Sequence, residues 1–478
     1  MLGGLAWDRI GEARAERRMV RRSRWNIGFA LVVFVQVVDS WLERQAGSLP
    51  TQIYSIDKLE AYPTLVGVVI RSYFELFGRE RRILCFGMLM TFFSSFGQTF
   101  FISLFVPSWE KEFALGSGMY GTLYSLATLG SAFLMPFVGK WVDTLDLRKF
   151  SLFAALVMGS ACIGMGVAQA AWHLLILLFL LRLSGQGLCG LIANTTMARR
   201  FHEGRGKALS ISTLGFPLGE AIFPAFVVAI LGVMTWRNAS FLNGGMIFLV
   251  LVPLVFLLLS PTNLRKPPAH PDETSNIDSG EKEWTRAHVL RDWRFYALLP
   301  NFLMIPFAVT GLIFYQSRLA EFKGWTIETF AYAFVGFAVV RIVCSLGIGH
   351  SIDRFGARRL FPFVSLPLVI GIGFLMLFQS TWAAWAYLTL MGASMGVISA
   401  VGTALWAELY GVRHLGAIKS LGTSLGVFGT ALSPALFGWI LNADLSFHWI
   451  LGGTILAAIV AAILSMGVCF EKREALAV

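Results

Sequence analysis

The stretch Gly349 to Arg359 reads G-H-S-I-D-R-F-G-A-R-R and closes an apolar run that carries a single arginine, Arg341. It has a counterpart 210 residues earlier, Gly139 to Lys149, which reads G-K-W-V-D-T-L-D-L-R-K. Each copy sets an aspartate four residues after its glycine (Asp143, Asp353) and a basic pair at the ninth and tenth positions (Arg148 and Lys149; Arg358 and Arg359). Long apolar runs flank both copies. The pattern predicts one membrane module of about six helices used twice, as in the parallel repeats of transporters.

Composition agrees. The chain has 478 residues, 56% of them apolar and 14% charged, with a mean hydropathy of +0.68, which is not the make-up of a soluble globular protein. The net charge of +11 could suit nucleic acid, but no soluble basic domain is present to hold a duplex, so the excess is read as membrane topology. Cys85, Cys162, Cys189, Cys344 and Cys469 are scattered singly, without the spacing of metal ligands or of a disulfide framework.

The duplicated Gly-x-x-x-Asp turn with its basic tail resembles the signature loop between the second and third helices of each half of the major facilitator superfamily. The resemblance covers roughly Arg82 to Phe470. The first copy carries Thr144 and Asp146 where that pattern has a basic residue and a glycine. It implies an all-α polytopic protein with twelve transmembrane helices in two six-helix halves.

Hydropathy places these helices near 83 to 107, 118 to 138, 150 to 169, 173 to 197, 208 to 231, 238 to 259, 294 to 316, 326 to 348, 360 to 379, 382 to 406, 415 to 440 and 447 to 470. The expected organisation is an N-terminal extension (1 to 81), a first half (82 to 259), a proline-bearing charged linker (260 to 293), a second half (294 to 470) and a short tail (471 to 478). A basic stretch, Arg286 to Arg294, is expected at the membrane surface ahead of the seventh helix. In the extension, six arginines from Arg14 to Arg24 precede an apolar run from Trp25 to Val38. That run reaches about 21 Å, short of a hydrocarbon core of about 30 Å. The segment is therefore expected to be either a peripheral amphipathic leader or, the reading favoured slightly, translated sequence upstream of the true start codon.

Lys and Arg settle the expected orientation. Twenty fall in the loops and tail on one side, and only Lys111, Arg237, Arg318 and Lys323 on the other. This places both ends and the linker in the cytoplasm of a multi-pass protein of the cell (inner) membrane. The lipid bilayer is then its one macromolecular environment. A monomer is expected, with no nucleic-acid partner and no cofactor.

Charge inside a membrane helix costs about 2.5 to 3.5 kcal/mol at the helix centre and asks for a reason. Arg341 lies among Val339, Val340, Ile342 and Val343, and a planar guanidinium there could hold a carboxylate by two parallel hydrogen bonds; an inward ion pair or a side chain snorkelling to the inner face is the structural alternative. Glu220, in G-F-P-L-G-E-A-I-F-P from Gly215, could load and release a proton, or be a hydrogen-bonded glutamate beside a kink. Arg182 opens R-L-S-G-Q-G and resembles the superfamily's fourth-helix arginine, which implies proton coupling or helix cohesion. Aligning Gly187 with Gly396 sets Met391 opposite it. Gln98, Tyr124, Gln186, Asn194 and Gln316 are the polar groups expected to face a central cavity, with interhelical bonding as the other use of such groups. Asp143, Arg148, Lys149, Asp353, Arg354, Arg358 and Arg359 are expected to gate the inner side, the aspartates pairing with bases and capping neighbouring helices. No catalytic constellation, metal cluster or phosphate loop is legible, so an enzyme is not expected.

Within the superfamily the chain is most similar to the monocarboxylate transporters and the bacterial oxalate/formate antiporters. Arg341, the stretch F-H-E-G-R-G-K-A-L-S from Phe201 leading into G-F-P-L-G, and A-E-L-Y-G-V-R-H-L-G from Ala407 carry that likeness. Phe337 stands where the former branch has an acidic residue, and Lys419 lies nearer the helix start than the latter's lysine. The resemblance implies secondary transport of a small organic anion, by proton symport or exchange. A proton-driven exporter of lipophilic compounds and a transporter-like sensor are the alternatives.

Overall fold

The computed structural model describes residues 62–139, 141–201, 204–259, 284–411 and 415–470. The basic leader with its apolar run, most of the expected linker and the tail lie outside the described residues. The chain divides into two compact units, Met1–Phe74 and Glu75–Val478. Among the described residues every regular element is helical.

Among the described residues the second unit holds twelve apolar spans when one bent pair is counted as a single span. The bent pair is α1, Glu75–Gly97 followed by Thr99–Phe113 at 45°. Five spans complete the expected first set, α2 (Ser117–Gly139), α3 (Leu147–Val167), α4 (Ala171–Arg200), α5 (Arg205–Val233) and α6 (Trp236–Leu258), and α7 (Trp293–Phe314) opens the second. The rest are α8 (Ile327–Phe355), α9 (Ala357–Leu377), α10 (Trp382–Tyr410), α11 (Leu425–Asn442) and α12 (Phe447–Cys469). The expected count and order of helices are thus found.

Apolar surface cannot drive helix association in lipid, so close packing and buried polar bonds take over. A Cβ built on Gly392 or Gly396 of α10 would lie 2.3 Å from Phe337 O or 2.4 Å from Arg341 O of α8; only glycine permits that approach. Asn301 of α7, wholly buried, donates through Nδ2 to Phe361 O (2.9 Å) and to Ser465 Oγ of α12 (3.3 Å), and accepts from Ser365 Oγ (3.2 Å).

Two expected boundaries move. The first helix is assigned over Tyr62–Phe93, with Glu80 off helical geometry (φ −121°, ψ 30°), so helix starts well before Ile83, where the hydropathy rises. Helix α8 ends at Phe355 rather than 348, because G-H-S-I-D-R-F continues the helix; the chain turns only at Gly356 (φ 81°, ψ 146°). The stretch that resembles a loop is therefore mostly the last two turns of a helix. In the first copy, Trp141–Thr144 is likewise helical.

Candidate functional site

Lengthening α8 moves Arg341 to its middle, 14 residues from either end of Ile327–Phe355. Glu220 sits at the middle of α5. Gly219 brings α5 against α1, since a Cβ there would fall 2.0 Å from Ser95 Oγ. Arg341 Nη1 donates to Glu220 Oε1, forming an ion pair whose side chains are 23% and 13% exposed. Glu220 Oε2 is buried without a hydrogen-bond partner among the described residues. The pair crosses from the first six spans to the last six at mid-depth. Two residues singled out separately in the sequence, one for substrate and one for a proton, touch.

Arg182 of α4 is 1% exposed. Its Nη1 donates to Gly97 O (3.0 Å) and its guanidinium lies 5.1 Å from the Tyr124 ring centre. Tyr124 is buried, shares a hydrogen bond with Thr99 Oγ1 (2.7 Å) and packs on Phe314 of α7 at 4.5 Å. Gln98 and Gln186 are half-buried and Asn194 is exposed.

Gln316 is elsewhere. It is 2% exposed and donates through Nε2 to Ser103 Oγ (2.9 Å), between the two sets of six spans. Neighbouring contacts join the same end. Tyr315 Oη lies 2.9 Å from both Ser117 O and Pro434 O, which share its one O–H donor. Arg318 Nη2 reaches Glu110 Oε2 (3.1 Å), and Glu110 Oε1 accepts from Ser117 Oγ (3.2 Å). Trp439 Nε1 donates to Thr122 Oγ1 (3.2 Å) and Ala435 N to Ser125 Oγ (3.2 Å). Beside them, burial pushes the Lys323 ammonium below the usual lysine range, and it donates to Phe378 O (3.2 Å). The end bearing Ser117 and Asn442 is thereby closed between the halves.

At the opposite end each signature turn binds within its own half. Arg148 Nη2 donates to Phe256 O (3.3 Å) and Leu259 O at the end of α6, and Arg358 Nη2 to Val468 O (2.6 Å) at the end of α12. The repeat extends to these contacts. The carboxylates that cap the following helices are Asp146, accepting from Arg148 N (3.0 Å) and Lys149 N (3.2 Å), and Glu408, accepting from Ala357 N (2.7 Å) and Arg358 N (3.0 Å). Capping was expected of Asp143 and Asp353 instead. Asp353 is exposed on the last turn of α8, and the side chain of Asp143 lies outside the described residues. Arg354 stacks over Phe355 at 5.1 Å, while Lys149 and Arg359 are exposed. Asp146, standing where the family pattern has glycine, and Glu408, in A-E-L-Y-G, were both visible as departures or likenesses without a role.

Comparison with known proteins follows the same line. The sequence profile described as Major Facilitator Superfamily matches residues 87–340 and 316–476. Monocarboxylate transporter 14 of Mus musculus is 25% identical over 138 residues, 29% of this chain and 27% of that one. Its Homo sapiens counterpart is 25% identical over 175 residues, 37% of this chain and 32% of that one. The matched stretch thus spans about a third or less of either relative. The oxalate:formate antiporter of Oxalobacter formigenes is 22% identical over 336 residues, 66% of this chain and 76% of that one. In fold, the chain is similar to the crystal structure of a bacterial homolog of the human lysosomal transporter Spinster, in an inward-facing and unoccupied conformation. The TM-score is 0.59 at 15% identity, covering 82% of this chain and 94% of that one. With a duplicated turn, twelve spans in the expected order and a profile match across both halves, the chain belongs to the Major Facilitator Superfamily.

Proposed function

We propose that this protein is a secondary active transporter that moves a small organic anion by alternating access, coupled to a proton or to exchange. The observation that carries this reading is the mid-depth Arg341–Glu220 pair. The guanidinium already has a carboxylate as its ligand. A substrate carboxylate offers the same acceptor oxygens and would compete for Arg341, and a proton would neutralise the displaced Glu220 rather than leave a buried anion. Anion binding and proton loading then favour each other through one ion pair. The likeness to monocarboxylate and oxalate:formate transporters supports a carboxylate substrate.

In the orientation expected from Lys and Arg, the closed end faces outward, so the chain is in an inward-facing state. Gln316, Tyr315 and Arg318 act as the outer closure, and the basic residues of the two signature turns hold each half together on the inner side. Gln98, Gln186 and Asn194 are the polar groups available to the rest of the substrate.

The test is uptake of radiolabelled lactate, pyruvate, formate and oxalate into proteoliposomes, with and without an inward proton gradient, for the native protein, Arg341→Lys and Glu220→Gln. One anion should be transported. Arg341→Lys, which keeps the charge but loses the planar donor pair, should abolish it, and Glu220→Gln should remove the dependence on the gradient. Transport of none of the four, or an unchanged Arg341→Lys, would sink the anion reading in favour of an exporter in which Arg341 is structural.

A further inference from the structure

Helix α1 breaks at its middle, and the break is held from both sides. Gln98 has extended backbone geometry (φ −90°, ψ 152°), so the helical ladder skips a rung. The Phe101 N–H, which in a continuous helix would bond Gly97 O, turns instead to Gln98 O (3.2 Å), which also takes the regular bond from Ile102 N–H (3.1 Å). In a bilayer the Gly97 carbonyl has no water to turn to. Arg182 Nη1 supplies the missing donor at 3.0 Å.

Two further features fit this contact. Helix α4 becomes a π-helix over Arg182–Cys189, and Gly185 in that segment lies so near the break that a Cβ on it would stand 2.7 Å from Gly97 Cα. Such π segments widen a helix locally and recur where a side chain is re-aimed. On the far side of the break, Tyr124 Oη is bound to Thr99 Oγ1 (2.7 Å), and the Tyr124 ring also carries the Arg182 guanidinium. One arginine and the tyrosine beneath it thus hold the residues before and after Gln98.

The second half provides an internal control. There α7, in the place of α1, runs unbroken over Trp293–Phe314, and the residue aligned with Arg182 is Met391 in the uninterrupted α10. The arginine and a break at this position occur together and are missing together; the second half is interrupted later, at Tyr315, ahead of the short helix Gln316–Lys323.

We infer that Arg182 is a positioning residue: it satisfies the carbonyl exposed by the α1 break and thereby fixes where Gln98 stands beside the transport path. Nη1 is satisfied by Gly97 O and the guanidinium lies over the Tyr124 ring, while Nε and Nη2 are buried without a hydrogen-bond partner among the described residues. The transport arm of the test below rests on the proposed anion function; the exchange arm does not.

The experiment compares the native protein with Arg182→Met, Arg182→Lys and Thr99→Val. Met copies the second half, Lys can still reach Gly97 O, and Val releases the other side of the break. Hydrogen–deuterium exchange in detergent should rise about tenfold in the peptide covering residues 94–102 for Arg182→Met and about threefold for Thr99→Val. It should stay near native for Arg182→Lys, with α7 unchanged in all. For whichever of lactate, pyruvate, formate or oxalate the native protein carries, Arg182→Met should raise KM about tenfold, equally in gradient-driven uptake and in counterflow. Unchanged exchange in both Arg182→Met and Thr99→Val overturns the inference. So does loss of gradient-driven uptake with native counterflow, the mark of a proton-coupling group. If none of the four anions is carried, the substrate proposal fails and exchange alone decides Arg182; if Arg182→Met does not assemble, Thr99→Val decides it.

Discussion

Removing one partner of the Arg341–Glu220 pair should cost more from one side than from the other. At an effective dielectric of about 20, unit charges about 4 Å apart attract by about 4 kcal/mol, and stripping one partner from a buried pair costs about 3 to 5 kcal/mol. Both side chains are less than a quarter exposed (23% and 13%), so solvent screens the pair only in part. Glu220→Gln leaves a guanidinium that cannot lose its proton, and about 3 kcal/mol is expected, near 150-fold in the folding equilibrium. Arg341→Gln leaves a carboxyl that can take up a proton, so its cost should be about 1 to 2 kcal/mol near neutral pH and shrink as the pH falls. The double variant carries neither charge and should regain about 2 kcal/mol relative to the summed single losses. The assay is SDS-induced unfolding in mixed micelles at two pH values, followed by tryptophan fluorescence. Equal single losses independent of pH, or a double variant that simply adds them, would refute the pairing argument.

Other consequences follow from single contacts. Glu408→Ala removes the acceptor for two backbone N–H groups at the start of α9 and should lower stability by about 1 kcal/mol in the same assay. Gly97→Ala would place a Cβ 2.3 Å from Leu181 O, so a loss of about 3 kcal/mol or failure to accumulate is expected, whereas Gly206→Ala, with nothing within 4 Å, should be neutral by size-exclusion profile and yield. Arg318→Ala breaks a partly exposed bridge to Glu110 worth about 1 kcal/mol or less. It should shift the chain toward an outward-open state by up to about fivefold, read as a faster reaction with an impermeant maleimide of a cysteine introduced by Ser125→Cys, a position buried at the same seam.

The membrane class, the number and order of spans and the internal repeat were legible because each is written locally. Long apolar runs, breaks at polar turns and a motif recurring at a fixed interval need no knowledge of what packs on what. Ends of helices were less legible. Hydropathy reports which residues prefer lipid, while helix continues wherever the backbone can bond, so polar G-H-S-I-D-R-F extends α8 to Phe355. The candidate residues were visible singly as charges in apolar runs, but not who meets whom. Arg341 and Glu220 are 121 residues apart in sequence, and only the packing of α5 on α8 joins them. Gln316 looks in sequence like a cavity residue and in the fold is a buried tie at the closed end. Arg182 reads as one more intramembrane charge until the α1 break is seen, since a missing rung in a backbone ladder has no sequence signature of its own. Composition and periodicity thus determined that this chain is a duplicated bundle of membrane helices. Which charges neutralise one another, and which end of the bundle is shut, only the tertiary structure decided, because both depend on contacts between helices distant in sequence.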